Sequence, residues 1–179
     1  MIKIVTVPNS VLNSPAQPVT KIDDKIKNLV YDMEEVLIAQ IDPQGVGLAA
    51  PQVGISLQIF LIKPERNQET EVFINPKILE VKTQNPSPTT QNVKSPKDKL
   101  EGCLSIPRIW GPVKRANKVK LQYQTLAGET KTQWFTGLKA AIIQHEMDHL
   151  NGILFTQKAL EQKTPLYEEE NGEFTKVNY

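Results

Sequence analysis

Both histidines of the chain fall in one short window, Gln144-His145-Glu146-Met147-Asp148-His149-Leu150, and they stand four residues apart. The segment before it, Leu138-Lys139-Ala140-Ala141-Ile142-Ile143, is apolar and compatible with a helix. On a helix, positions i and i+4 lie one turn apart on the same face, so His145 and His149 can aim two ring nitrogens at one point. Leu138, Ala141 and Ile142 share that face, which predicts a buried stripe and a site in a dry pocket. Glu146 is rotated by about 100° from His145 and falls beside that point. His-Glu-x-x-His is the pattern of two metal ligands with a general base for water. The same letters recur on helices that bind nothing, so the surroundings have to decide.

Two imidazoles do not close a tetrahedral site. In the metzincin pattern a third histidine follows at the position of Phe155, and no histidine is left to fill it. A thermolysin-like site takes a Glu from a later helix. Glu168, Glu169 and Glu170 lie at a suitable distance, but Pro165 before them and Asn171-Gly172 after them read as turn. Cys103, the one cysteine, remains as the candidate third ligand. A lone cysteine is more often a small buried hydrophobe. It also excludes an internal disulfide and suits a reducing compartment, where a thiolate serves as ligand or nucleophile.

A chain of 179 residues can bury a core of its own, and 39% hydrophobic with 23% charged residues is ordinary for a soluble globular protein. A net charge of +1 gives no general case for nucleic-acid binding, and none is expected. No apolar run reaches the length of a membrane span, and Met1-Ile2-Lys3-Ile4-Val5 lacks the layout of a signal peptide. A cytoplasmic location is expected, with an organelle or viral source left open.

Along the chain, residues 2–7 are largely β-branched and read as a short strand ending at Pro8. Residues 8–18 read as irregular. Residues 23–40 read as a helix, with Ile26, Leu29, Val30, Met33, Val36 and Leu37 on one stripe and Thr20 or Asp23 as cap. Gly45-Val46-Gly47-Leu48-Ala49-Ala50-Pro51-Gln52-Val53-Gly54 is small and apolar apart from Gln52. It lacks the Gly-Lys-Ser/Thr ending of a phosphate loop. It fits a segment lining a cleft, offering backbone groups to a peptide and one amide to a developing oxyanion. Residues 57–63, 72–74 and 78–81 read as strands. Residues 83–99 are too polar to bury and read as a flexible surface loop. Residues 118–126 and 130–136 read as a hairpin turned at Ala127-Gly128, and the histidine helix runs from about Gly137 to Asn151-Gly152. Residues 154–160 are expected to pack back on the core. The tail reads either as a small hairpin around Asn171-Gly172 or as disordered chain. The organisation expected is one catalytic domain over residues 1–164 and a tail over 165–179.

Three segments together resemble the peptide deformylase family. Its Gly-x-Gly-Leu-Ala-Ala-x-Gln motif is met by residues 45–52, Glu-Gly-Cys-Leu-Ser by residues 101–105, and Gln-His-Glu-x-Asp-His-Leu by residues 144–150. The resemblance runs from about Pro8 to about Leu160. It implies an α+β fold with antiparallel β-sheets around a central metal-binding α-helix. It implies one divalent metal on Cys103, His145 and His149, Fe(II) natively with Zn, Ni or Co as substitutes, and a fourth position left for water. Glu146 would be the base, and the Gln52 amide and Leu104 N–H would hold the oxyanion. Val46, Gly47, Leu138, Ala141, Ile142 and His145 would receive the methionine of an N-formylmethionyl peptide, leaving formate and a free N-terminal methionine. Glu101 and Arg115 match positions of a supporting ion pair behind the cysteine loop.

The chain also departs from the family. The polar loop is long, and Trp110 stands where many bacterial members carry a substrate-facing Arg, so peptide contacts beyond methionine are expected to differ. The acidic tail is not the basic ribosome-docking helix of the better-studied members. Nascent chains at the ribosome remain the expected substrate, by a docking mode the sequence leaves open. Two other readings compete. An endopeptidase shares His-Glu-x-x-His but does not use a Cys ligand. A catalytically inactive formyl-peptide-binding module would be expected to have lost a ligand, the base or the oxyanion amide, and all are present.

Overall fold

The run Ile59-Phe60-Leu61-Ile62 offers no polar side to water. In the computed structural model it becomes a strand buried on both faces, β2 (Ile59–Ile62). The structure describes residues 2–83 and 100–177. β2 pairs with β1 (Gly47–Ala49) and β3 (Glu71–Lys82), and β6 (Lys118–Gln124) and β7 (Thr130–Thr136) extend this to an antiparallel sheet in the order β1-β2-β3-β6-β7. A second antiparallel sheet has the order β4-β5-β8-β9, from β4 (Glu101–Cys103), β5 (Ile106–Gly111), β8 (Tyr167–Glu170) and β9 (Glu173–Lys176). The fold is α+β, as expected.

Helices decide which faces are covered. α1 (Asp24–Ile38) starts where Asp23 Oδ1 accepts the Lys25 and Ile26 amides, 3.1 and 3.2 Å away. Its Val30, Met33 and Leu37 pack on Leu48, Ile59, Leu61 and Ile74. α2 (Gly137–Leu150) lies on the opposite face, with Ala140, Ile142, Ile143 and Leu150 against Phe60, Phe73, Val119 and Phe135. Gly152, at φ +70°, follows the end of α2, as a helix stop requires. α3 (Phe155–Glu161) seals the second sheet through Phe155 and Ala159, so residues 154–160 do pack back on the core. Among the described residues no helix is long and apolar enough to cross a membrane.

Three expectations need correction. Residues 2–7 are not a strand. The Val5 amide bonds to Gln52 O at 2.8 Å and the Val7 amide to Ser105 O at 3.1 Å, so the segment clasps two separate turns instead of joining a ladder. The strands expected at 72–74 and 78–81 are one strand, β3. It passes Asn75-Pro76 with a register shift, and Asn75, at φ 49°, bonds through its side chain to Val19 N and O and to Gln124. Leu138, placed in the buried stripe, is 62% exposed because it is the second residue of α2 and stands at the rim of a cleft. Residues 84–99, most of the expected polar loop, lie outside the described residues.

Phe73 gathers the aromatic part of the core, with ring centroids 4.7 Å from Phe60, 4.6 Å from Tyr123 and 5.6 Å from Phe135. Phe73→Ala should cost about 3–5 kcal/mol in urea unfolding, as expected for a cavity in a rigid core. A loss below about 1 kcal/mol would mean that the site collapses around the deletion.

Candidate metal centre

α2 carries His145 and His149 on one buried face, and their Nε2 atoms stand 3.2 Å apart. β4 arrives from the second sheet and brings Cys103 Sγ to 3.2 Å from His149 Nε2. The three donor atoms all lie within 4.8 Å of one another. His145 donates Nδ1–H to Glu101 Oε1 at 2.6 Å, which leaves its Nε2 lone pair facing the cluster. A thiolate sulphur and two imidazole nitrogens are a borderline-soft donor set that suits a divalent transition metal and leaves a tetrahedral position open. The residues present therefore fit the ion that the sequence implies.

A charge web holds the cluster from behind. Arg115 donates to both carboxylate oxygens of Glu101, at 2.6 and 3.0 Å, and to Asp148 Oδ2 at 2.5 Å. The expected Glu101–Arg115 pair is thus bidentate and largely buried, not a solvated surface bridge. Burial alone would raise the Glu101 pKa, but His145 and Arg115 outweigh it and hold the carboxyl at about 2. In the metal-free protein, burial likewise opposes charge on His145, yet its contacts with Cys103 and Glu101 push it well above the ordinary value. Burial, and then His145 itself, push His149 well below. Asp148 received no role from the sequence. Its place in the repeat of the helix, three residues after His145, was the available signal. Gln144 was also passed over: its side-chain amide accepts from Ala116 N at 2.9 Å and donates to Ala116 O at 2.7 Å, clamping the chain beside Arg115 to α2.

Glu146 is buried on the other side of the cluster. Its Oε2 has no hydrogen-bond partner among the described residues. Burial raises this carboxyl to about 7. A Cβ on Gly47 would overlap Glu146 Oε1 and stand 2.8 Å from Ile142 Cγ2, so only glycine lets β1 pass this close to the Glu146 carboxyl. Gln52 is fully buried. Ala49 N–H donates to its Oε1 at 2.8 Å, and that bond turns its Nε2–H toward Cys103 Sγ at 3.5 Å.

These groups line one wall of a cleft of about 530 Å³. Val46, Gly47, Leu104, Ala141, Ile142 and, at the rim, Leu138 line it too. The cleft runs between β1 and β4, which are edge strands of their two sheets. All the candidate residues read from the sequence are therefore brought to one place.

The polypeptide deformylase family model matches residues 1–165. The chain belongs to the polypeptide deformylase family. Its members are metal-dependent hydrolases that remove the N-formyl group from new polypeptides, and this chain is such an enzyme. It is 42% identical over 164 residues to a peptide deformylase of Dictyoglomus turgidum, covering 92% of this chain and 96% of that one. The crystal structure of peptide deformylase from Thermotoga maritima superposes with a TM-score of 0.75 at 35% identity, covering 88% of this chain and 97% of that chain. A Met-Ala-Ser-bound peptide deformylase from Acinetobacter baumannii gives a TM-score of 0.73 at 32% identity, covering 88% and 98%.

A carboxyl depressed in the folded state stabilises the protein above its unfolded-state pKa and loses that contribution as pH falls through its folded value. For Glu101 the window is from pH 4.5 down to about 2. Metal-free protein should lose urea resistance across this window, and Glu101→Gln should flatten the profile there. The same variant should weaken metal binding by about 10–100-fold, read by competition with a chelator.

Proposed function

We propose that Glu146, Gln52 and Leu104 carry the deformylation and that Cys103, His145 and His149 hold its metal. The observation behind this is the pairing of a buried carboxyl, whose Oε2 has no hydrogen-bond partner among the described residues, with three convergent donors beside a peptide-sized cleft. The reaction is hydrolysis of a formamide: the C–N bond of the formyl group breaks, water supplies the new C–O bond, and formate and a free amine leave. A divalent cation in this site supplies Lewis acidity, polarising the formyl carbonyl and acidifying water. Glu146, whose carboxyl burial raises to about 7 in the metal-free protein, takes the proton from water as it attacks and returns it to the departing amine. The Gln52 Nε2–H, fixed by the Ala49 amide, and the Leu104 N–H hold the negative charge that grows on the formyl oxygen.

Val46, Gly47, Leu138, Ala141 and Ile142 receive the unbranched methionine side chain. Leu138 closes the outer end from its exposed place at the rim. The free edges of β1 and β4 offer backbone groups to the peptide on either side. Fe(II) is the ion proposed for the cell, with Zn, Ni or Co as substitutes, since all accept a thiolate and two imidazoles. Formylated nascent chains emerge from bacterial-type ribosomes, so the enzyme works in a bacterial-type cytoplasm and meets its substrate there. Its tail forms strands instead of a basic helix, so the mode of docking on the ribosome differs from one that uses such a helix.

The deciding experiment is formate release from formyl-Met-Ala-Ser by protein reconstituted without oxygen with Fe(II), Ni(II) or Zn(II). Release abolished by a hydroxamate chelator is expected. No release from protein holding one metal per chain would favour an inactive binding module. Glu146→Ala should keep the metal and lose about 10²–10⁴-fold in turnover. Metal lost together with activity would make Glu146 structural or a ligand instead. Cys103→Ser should lower metal content, because an alcohol stays protonated at neutral pH; an unaltered content would remove Cys103 from the ligand set.

A further inference from the structure

The second sheet has two faces, and α3 covers one of them by packing on Cys103, Ile106 and Ile109. Arg108, at φ 65°, breaks the alternation of β5 after Ile106; beyond that break side chains alternate, so Trp110, next to Ile109, points to the other face. Trp110 stands directly opposite Gly102 on β4 and Tyr167 on β8, and cross-strand partners share a face. Tyr167 pairs with Lys176, and Phe174 lies two residues away on β9, on that same face. The Trp110 ring therefore lies across the space that Gly102 leaves open. A Cβ at Gly102 would stand 2.7 Å from the ring. Phe174 meets the ring edge-on, at 6.2 Å between centroids and 73° between planes.

This ring lines the catalytic cleft beside Gly102 and Cys103, with Leu100, Pro43 and Val113 as further apolar lining. The charged groups of that wall are engaged with one another: Glu101 binds both Arg115 and His145. What it offers a substrate side chain is ring and aliphatic carbon. Both strands of the C-terminal hairpin, Tyr167–Glu170 and Glu173–Lys176, lie beyond residue 165, where the family match ends.

We propose that the C-terminal hairpin is part of the substrate site, in which Phe174 fixes Trp110 as an apolar wall that selects peptides with an aromatic or large apolar residue at either of the two positions after the methionine. This rests on the deformylase reading. Trp110 is the side chain that touches the peptide, and Phe174 is a positioning residue that acts through it. An edge-to-face aromatic pair is worth enough to shift selectivity by about three- to ten-fold.

The test measures kcat and KM for formyl-Met-Phe-Ser, formyl-Met-Ala-Phe, formyl-Met-Ala-Ser and formyl-Met-Asp-Ser on the metal-loaded full chain. The wild type should favour the two Phe peptides. Phe174→Ala should cut that preference about three- to ten-fold, mainly through KM, with metal content retained. Phe174→Tyr, which keeps the ring edge, should restore it, and Trp110→Ala should erase it. Phe174→Leu keeps apolar bulk without a ring and should show the same loss if the alanine variant does not fold. A preference intact in Phe174→Ala or Phe174→Leu but gone in Trp110→Ala would overturn the role of the hairpin. A preference intact in all variants, or absent from the wild type, would overturn the wall itself. Formate release with altered selectivity leaves the deformylase reading standing, whereas no release from any peptide overturns that reading and this one with it.

Discussion

Three groups that can each give an electron pair to one metal ion converge at the centre of this molecule. Cys103 Sγ and His145 Nε2 each stand 3.2 Å from His149 Nε2. Their convergence depends on how the elements that carry them pack. One turn of α2 sets the two histidines on one face. β4, an edge strand of the other sheet, has to dock against that helix for the cysteine to arrive. The two sheets are thus obliged to close on α2 from different sides, and the short apolar strand β2 and the aromatic cluster at Phe73 give α2 a rigid bed. The metal centre and the hydrophobic core are one packing problem, because the buried flank of α2 serves both.

Two carboxylates flank this centre, and their surroundings separate them. Glu101 is bound by Arg115 and by His145 and stays ionised, held at about 2. Glu146 lies within the same turn of helix as His145, yet it faces apolar side chains and the backbone of β1, and it rises to about 7. The first is suited to orienting a ligand and the second to exchanging a proton near neutrality. Arg115 keeps the division stable. It takes Glu101 and Asp148 together, so both are engaged while Glu146 is not, and Gln144 pins the chain beside it.

How much of this was legible in the sequence follows from the range of the signals. Spacing on one helix is local, so the pairing of His145 with His149 and the position of Glu146 could be read directly. The arrival of Cys103 depends on sheet docking across more than forty residues, and residue pattern leaves it as a candidate; the family motif around it supplies the rest. Leu138 was misplaced because periodicity knows the face of a helix but not how near its end a residue lies. Residues 2–7 have strand composition, but their amides bond to Gln52 and Ser105, two turns that no local pattern could foresee. The break imagined at Asn75-Pro76 is bridged because the Asn75 side chain bonds across to Val19 and Gln124, which keeps β3 continuous past a proline. The pairing of the tail with β5 was equally out of reach, since Asn171-Gly172 predicts a hairpin but not the strand against which it docks.

The width of the cleft is decided by what two glycines lack. Gly47 on β1 has no side chain, and the space goes to the Glu146 carboxylate. Gly102 on β4 has none either, and the space goes to the Trp110 ring. Both are positions on strands that lie at sheet edges among the described residues, where a peptide backbone is able to pair, so each edge stays thin while a side chain fills in behind it. The two walls nevertheless have different origins. The β1 wall is complete within the loop-and-helix motifs that carry the chemistry. The β4 wall depends on a ring held from the far side by Phe174, which comes from the end of the chain. The Gly47 wall is thus packed by α2, and the Gly102 wall by a ring that a C-terminal strand buttresses, so the two sides of the cleft are built by parts of the sequence far apart.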